Sequence, residues 1–576
     1  MATATANTTS GGSFLIENQS AHDVFTPEDL TEEHLTIART TREFYDREIA
    51  PHVEEIENGD KDLAVELLRK AAALGLESVL TPERFGGMGM DLMSVMVVAE
   101  QLARDGSFAG WHGAHAGIGS LPLLLFGTEA QKQKYLGKLS SAELVGAYCL
   151  TEPQAGSDSL ATKTRADLSE DGTHYVLNGQ KMWITNGGKA GMYTVFAKIG
   201  GEKFSAFLVE RAFPGVNPGH EEKKMGIRGS STTAVFFDNV KVPVENLLGE
   251  IGRGHIIAFN ILNLGRLKLG PFAIGGAKAV LQTCLAYSKE RKAFGTNIGS
   301  FGMIRHKLAE MAIRIFAAES MIYRVVGLIE GHLQGFSWEQ PDAAKVMMKA
   351  VEEFAAECSI IKVYASEMLD YVVDEGVQVH GGNGFSQEYS VERAYRDSRI
   401  NRIFEGTNEI NRLLTSGMLF KRAMQGRLGL LKAVKGLQEE ILAGPSGPSD
   451  LVTNAKKIGL LLMGLAFEKY GVDLEKHQEV VAGIADVMME TFAMESAKLR
   501  SDKHGMGADM VAVLLQDSMG RIETFARPVL AACSEGDALR TNMAILRRFA
   551  KFDPIDEIAI RNRIAERLLS TGRYVV

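Results

Sequence analysis

Tyr175-Val-Leu-Asn-Gly-Gln-Lys-Met-Trp-Ile-Thr-Asn-Gly-Gly (175–188) reads as two strands, each closed by Asn-Gly. Asn-Gly at 178–179 and 186–187 is the strongest short-range turn signal, because both residues accept positive φ. The same texture continues in Tyr193-Thr-Val-Phe-Ala and Ala234-Val-Phe-Phe-Asp-Asn-Val. Outward from it, helical spacing of apolar residues takes over on both sides, at 61–74 and 92–105 before it and at 306–330 and 342–375 after it. Pro27-Glu-Asp opens a helix and Pro82-Glu-Arg-Phe-Gly-Gly-Met-Gly breaks one. The expected fold class is mostly α with a central β domain. Residues 1–25 are expected to be a flexible tail, 26–145 an N-terminal helical domain and 146–252 the middle β domain. A helical bundle follows at 253–420, a linker at 421–450 around Gly444-Pro-Ser-Gly-Pro-Ser, and a further helical domain at 451–576. No repeat of 20–50 residues is visible.

Composition narrows the class. The 576 residues are 45% hydrophobic and 23% charged, which excludes a disordered or fibrous chain. No run of about 18 uncharged apolar residues occurs, so no spanning helix is expected. A net charge of -9 argues against phosphate binding over the whole surface. Cys149, Cys284, Cys358 and Cys533, with no CxxC, point to a reducing compartment without disulfides or a zinc knuckle. Residues 1–38 carry no Lys or Arg but six acids, unlike a transit or secretory peptide. The expectation is a bacterial cytoplasmic protein, or one of the mitochondrial matrix or inner-membrane surface if the source is a eukaryote.

The sequence lacks GxGxxG after a strand, GxxxxGK[ST], HExxH and GxSxG, which removes support for Rossmann, P-loop, zincin and serine-elbow chemistry. No metal site is expected. Two dense constellations remain. One is Tyr148-Cys-Leu-Thr-Glu-Pro-Gln-Ala-Gly-Ser-Asp (148–158), followed at strand distance by Lys181-Met-Trp-Ile-Thr. The other is Gln378-Val-His-Gly-Gly-Asn-Gly-Phe (378–385) with Arg396-Asp-Ser-Arg-Ile-Asn-Arg-Ile-Phe-Glu-Gly-Thr-Asn-Glu-Ile (396–410). The chemistry fits a flat, polar-edged ring: Thr151 and Thr185 offer hydroxyls, Trp183 a flat wall, and the glycines at 381–384 a close backbone approach to a diphosphate. Glu405, between Phe404 and Gly406, sits where burial can raise a carboxylate towards working pH.

These residues resemble the acyl-CoA dehydrogenase family over residues from about 30 to 420. Both family signatures are present in order, one ending at Asp158 and Ala161, the other running from Gln378 to Asp397. The layout is closest to the very-long-chain branch. The resemblance implies a helical N domain, a β-barrel or sandwich middle domain and a four-helix-bundle C domain, with an extra C-terminal helical domain here. It implies FAD, lined by Tyr148, Leu150, Thr151, Gly156, Ser157, Trp183, Ile184, Thr185, Thr407 and Glu409. Arg291, Phe294, Gln378, Gly381 and Gly382 would reach the FAD of a neighbouring subunit, so a homo-oligomer, a dimer first of all, is implied. Ser157, Asn263, Arg266 and Gly406 are implied to approach the acyl-CoA.

The resemblance also assigns the reaction. Glu405 removes the pro-R α-hydrogen, its own N–H and the flavin ribityl hydroxyl stabilise the enolate oxygen, and the β-hydrogen leaves as hydride to flavin N5. The product is trans-2-enoyl-CoA, and the electrons pass to an electron-transferring flavoprotein. In the isovaleryl-CoA branch the base stands just before Arg266, which here is Gly265, so the acid must be Glu405. The small residues of Asp105-Gly-Ser-Phe-Ala-Gly-Trp-His-Gly-Ala-His-Ala-Gly-Ile-Gly (105–119) leave room for a long tail. Phe301-Gly-Met-Ile-Arg-His-Lys-Leu-Ala-Glu-Met and the C-terminal domain also resemble the very-long-chain branch. Residues 421–576 carry 22 Lys+Arg against 20 Asp+Glu, too even for nucleic-acid binding. Lys421, Arg422, Arg427, Lys432 and Lys435 among leucines could meet an anionic membrane surface, or the helix could pack on its own domain. An acyl-CoA oxidase and a non-catalytic DNA-binding or assembly-factor member of the fold stay open as alternatives.

Overall fold

The structure, a computed structural model, describes residues 9–444 and 450–576; the Pro-Ser-Gly-Pro-Ser part of the expected linker and residues 1–8 lie outside it. The first third is helical, and side-chain caps start its helices. Asp60 accepts from the Leu63 N–H at the head of Lys61–Ala73, and Asp91 from that of Ser94 at the head of Leu92–Leu102. Asp105 does the same for Gly106–His112, and Thr128 forms a capping box with Gln131 ahead of Glu129–Ser140.

The middle of the chain forms one eight-stranded sheet: β1 Gly146–Cys149, β2 Arg165–Leu168, β3 His174–Thr185, β4 Met192–Ile199, β5 Lys203–Glu210, β6 Val216–Glu221, β7 Thr232–Pro243 and β8 Leu247–Leu248. The order is β6-β7-β3-β2-β4-β5-β8. β1 and β2 run parallel to β4 along successive stretches of it, at Met192 to Val195 and at Lys198 to Ile199. The sheet buries Ala147, Tyr193, Phe207 and Val235 against one another. Asn178-Gly179 does not turn the chain. β3 keeps pairing with β7 on both sides, Leu177 with Val240 and Gly179 with Phe237, and the extra residue of the bulge lies on β7, where Asp238 and Asn239 (φ 50) stand opposite Asn178. Asn186, at φ 64, does end the strand.

Four long helices follow, Gly254–Glu290, Gly302–His332, Ala355–His380 and Asn408–Met424, with most of the remaining signature residues in the segments that join them. Gly254–Glu290 and Ala355–His380 approach so closely that a Cβ on Gly270 would stand 2.7 Å from Ile361. By length and composition alone Gly254–Glu290 could cross a membrane, against the expectation of none, but 61% of its most apolar window is buried among the other helices. The last helices, Leu451–Tyr470, Gln478–His504, Ala508–Cys533, Gly536–Phe549 and Glu557–Thr571, share one continuous hydrophobic core with that bundle.

Two expected boundaries change. Residues 421–443 are not a linker: Asn408–Met424 runs on into them, and Leu430–Ala443 forms a further helix whose Leu430 and Leu437 are buried. Arg422 is buried against Glu353, and Arg427 reaches the same carboxylate, so part of the expected basic face is consumed inside the protein. Residues 9–25 are not a loose tail. The Gly11 and Gly12 N–H groups donate to Glu353 (2.9 Å) and Glu357 (2.6 Å), and Phe14 packs on Phe492 with ring centres 4.8 Å apart. Arg324 holds the Gln19 side-chain carbonyl at 2.6 Å, and Lys456 the Glu17 carbonyl at 2.6 Å. A Cβ on Gly11 would lie 1.9 Å from the Glu353 carbonyl oxygen, so the small residues that look unstructured are what allow the fit.

Candidate active site

The sheet contributes a platform. Between Lys181 and Ile184 strand β3 slips register, and Trp183 takes φ 59, leaving its ring 54% exposed beyond the strand edge. The Met182 N–H donates to the Thr151 carbonyl at 2.9 Å, which ties the 148–158 segment to the displaced tryptophan. Behind this lies a buried ion pair. Lys181 Nζ donates to Glu152 (2.7 Å), the Leu150 carbonyl (3.1 Å) and Thr162 Oγ1 (3.0 Å). Glu152 also accepts from the N–H groups of Lys163 and Thr164, at 2.6 and 3.1 Å. Burial pushes this carboxyl up, but Lys181 and the hydrogen bonds win and hold it at about 2. Thr151 and Thr185 are thereby presented half-buried beside Trp183, with Leu150 and Ile184 buried beneath and Gly156 and Ser157 exposed.

The bundle contributes the carboxylate. Glu405 (φ 57) and Gly406 (φ 81) stand in succession in the left-handed region just before Asn408–Met424, a costly conformation for Glu that its surroundings must impose. Arg266 Nε donates to the Glu405 carbonyl at 3.2 Å, and Asn411 Nδ2 to the Gly406 and Thr407 carbonyls at 2.8 and 3.0 Å. Lys362 Nζ donates to the Gly406 carbonyl at 2.7 Å and to Asn408 Oδ1 at 2.6 Å. Thr407 is the helix N-cap, accepting from the Ile410 N–H, and Glu409 is exposed in the first turn. Glu405 Oε2 is buried without a hydrogen-bond partner. Burial pushes its carboxyl up to about 7, against the pull of Arg266 and Lys362. The buried Tyr148 hydroxyl, likewise unpartnered, is close enough to feel both Glu405 and Arg266.

Gly265 faces this carboxylate: a Cβ there would stand 2.7 Å from Glu405 Oε2. Replacement of Gly265 by Ala is expected to displace the carboxylate and lower turnover by about tenfold to a hundredfold, the cost of a shift near 1 Å at a reacting group. Bound flavin is expected to be unchanged. Steady-state rates with flavin content measured on the same sample check it, and an unaffected rate would mean that the close contact is not part of the catalytic geometry.

Thr185 and Glu405 open onto one cavity of about 610 Å³. One wall is the Gly254–Glu290 helix from Gly265 past Phe272 and Gly276 to Thr283; the other includes Gly106, Gly110, Gly113 and Gly117. The small-residue stretch 105–119 is therefore the channel wall, and a Cβ on Gly113 would already touch the Phe272 ring at 3.1 Å. Asn263 and Arg266 do not line it. Both are buried, with Arg266 Nη1 donating to Asn263 Oδ1 at 3.0 Å and Arg266 Nε to the Glu405 carbonyl, beneath the Glu405 loop.

Arg291, Phe294, Gln378, Gly381 and Gly382 form a separate, solvent-facing patch in the single chain. Phe294 is 97% exposed. The two segments meet through Tyr287, which stacks on His380 at 4.1 Å and accepts from Asn383 Nδ2 at 3.0 Å. The backbone at Gly381 and Gly382 is open, with nothing within 4 Å of where a Cβ would stand. A flat ring against Trp183, hydroxyls at its edge and open glycine backbone for a diphosphate together fit a flavin dinucleotide.

Sequence reasoning passed over Lys362, Asn408 and Asn411, and gave Lys181 and Glu152 no role. Lys362 does carry a signal, a lone cation in the apolar run Ser359-Ile-Ile-Lys-Val.

Comparison with known proteins places this arrangement in a class. The sequence profiles described as the N-terminal, middle and C-terminal domains of acyl-CoA dehydrogenase match residues 31–143, 147–240 and 252–418, and a further acyl-CoA dehydrogenase C-terminal domain profile matches 454–548. The chain belongs to the acyl-CoA dehydrogenase family. It is 46% identical to a probable acyl-CoA dehydrogenase of Bacillus subtilis (strain 168), over the full length of both chains. It is 39% identical to the mitochondrial very long-chain specific acyl-CoA dehydrogenase of Homo sapiens over 421 residues, which cover 69% of this chain and 59% of that one. Among solved structures, an acyl-CoA dehydrogenase complexed with FAD from Bacillus anthracis is 48% identical and superposes with a TM-score of 0.97, covering 99% of this chain and all of that one.

Proposed function

We propose that this protein dehydrogenates a long-chain acyl-CoA between its α and β carbons, giving the trans-2-enoyl-CoA of fatty acid β-oxidation, with FAD as its cofactor. The observation that carries the reading is a carboxylate with a buried, unpartnered oxygen, Glu405 Oε2, at the head of a long cavity beside a platform shaped for a flavin. Glu405 takes the α-proton; raised to about 7, it is basic enough to accept that proton yet largely ionised above neutrality. Arg266, Lys362 and Asn411 hold the loop so that the carboxylate stays at the channel head. FAD, when bound, supplies the acceptor for the hydride that leaves the β-carbon.

The chain-length preference rests on the channel. From Gly265 to Thr283 its helical wall runs about 27 Å, close to the thickness of a bilayer's hydrocarbon core, which two opposed lipid tails fill. One long tail fits with room to spare. We further infer that electrons leave to an electron-transferring flavoprotein. A second copy of the chain would cover the patch around Phe294 and Phe385, large aromatics 97% and 88% exposed beside the open glycines, and complete the cofactor site.

Anaerobic titration of the purified protein with palmitoyl-CoA tests the reading. The oxidised-flavin band is expected to bleach, and the rate of bleaching to rise with pH through about 7, because Glu405 works only when ionised and its pKa is raised. A rising limb near pH 4.5 would mean an unperturbed carboxylate and a different base. A flavin that palmitoyl-CoA leaves oxidised would overturn the long-chain preference, and reduced flavin that oxygen consumes rapidly would identify an oxidase.

A further inference from the structure

We propose that Lys268 forms a second binding point inside the acyl channel, for an oxygen acceptor, a hydroxyl or a carboxylate, carried on the acyl chain. The inference rests on reading the cavity as an acyl channel. Lys268 stands three residues beyond Gly265 on the Gly254–Glu290 helix, about 4.5 Å further along its axis and on a neighbouring face. It lines the cavity that holds Glu405. The residue is 6% exposed, and Nζ has no hydrogen-bond partner among the described residues. Other buried lysines are provided for: Lys181 has three acceptors, Lys362 two and Lys456 three.

The surroundings leave room for a ligand atom. Across the channel is Gly117, where a Cβ would stand 3.8 Å from Nζ. Gly117 departs from helical geometry (φ -98, ψ -107) inside the π-helical turn Gly113–Gly119, a kind of irregularity that gathers at functional sites. The Phe272 ring centre lies 5.7 Å from Nζ. Glu77 attracts Lys268, but its carboxylate is committed to His112 Nδ1 at 2.9 and 3.0 Å. A buried ammonium without a hydrogen-bond acceptor is unfavourable, and a plain alkyl tail brings none. A chain with an oxygen at this depth does. The competing arrangement is a water in the small cavity of about 30 Å³ between Glu77, His112, Ser120 and Lys268, which is large enough for one.

The flavin-loaded enzyme would be assayed with ω-hydroxy- and ω-carboxyacyl-CoA graded from hexanoyl to hexadecanoyl length, each beside the plain acyl-CoA of equal length. In the wild type the ratio of kcat/KM, oxygenated over plain, is expected to peak at one or two adjacent lengths. Lys268→Met is expected to lower that peak ratio at least about tenfold. The ratio cancels any loss of folded protein, and the wild-type series decides alone if the variant does not fold. A peak for the carboxylates only supports an anion site, and a peak for both a general acceptor site. A ratio flat across lengths, or a peak that survives Lys268→Met within about twofold, overturns the proposal and leaves the ammonium to the water. Plain acyl-CoA that reduces the flavin with a flat series refutes this inference alone. A flavin that no plain acyl-CoA reduces refutes the dehydrogenase reading as well.

Discussion

Glu405→Gln is expected to slow flavin reduction by palmitoyl-CoA about 10³-fold, within the range for removal of a general base. The amide keeps the shape of the carboxyl. The hydrogen bonds that position the loop are made to the backbone carbonyls of Glu405, Gly406 and Thr407, not to the carboxylate, so the left-handed conformation should survive. FAD should remain bound at full occupancy, and a binding isotherm followed by the perturbed flavin spectrum should still show thioester entering the channel. Replacing a carboxylate whose charged form burial disfavours by a neutral amide also removes a buried charge, so the variant should melt no lower than the wild type. Stopped-flow reduction on the same sample provides the test. A rate within tenfold of wild type would remove Glu405 from the chemistry.

Glu152→Ala is expected to cost about 3–5 kcal/mol and to release the flavin, because it strands the Lys181 ammonium in a site with no access to water. The effect reaches the site through the backbone. Glu152 gathers Thr162, Lys163 and Thr164 around one carboxylate, and Lys181 reaches back to the Leu150 carbonyl, so the pair fixes the segment after β1 that presents Thr151 against the strand β3 that presents Trp183. Replacing both partners, as Glu152→Leu with Lys181→Met, should recover much of the stability, since an apolar pair leaves no buried charge. The flavin should stay loose in that double variant, because the loop N–H groups lose their acceptor. Denaturation curves with flavin retention measured in parallel separate the two effects. The sign with pH follows from the depressed carboxyl: at about 2 rather than 4.5, it adds stability above pH 4.5 that fades as pH falls towards 2. Unchanged stability in Glu152→Ala would mean that the pair is solvated in solution.

The parts of the site that were legible are those whose chemistry sits in one short stretch. Thr151, Trp183, Thr185 and Glu405 each lie in a motif dense enough to identify, and Gly265 could be excluded as a base from its own side chain. The opposition of Gly265 and Glu405, with a Cβ 2.7 Å from the carboxylate, adds a steric reason that no local reading contains. Lys362 and Asn411 escaped notice because their role is a hydrogen bond to a backbone carbonyl, and for Lys362 that carbonyl is 44 residues away. Asn178-Gly179 misled for a related reason. The dipeptide permits a turn, but whether the chain turns depends on the partner strand, and β7 continues to pair on both sides. The N-terminal segment departs in the opposite direction: a tail expected to be flexible is held in place, because the missing side chain of Gly11 admits the Glu353 carbonyl.

That segment has a consequence for the order in which the molecule is made. Residues 9–25 leave the ribosome well before their seat, which is built from Glu353, Glu357, Lys456, Phe492 and Lys503, the last of which follows Val24 by 479 residues. At about 5–20 residues per second, Phe14 waits roughly 25–100 s before the ring it packs against exists. The nascent chain therefore carries an uncovered aromatic anchor for all of that interval, and a segment made early finds its place late.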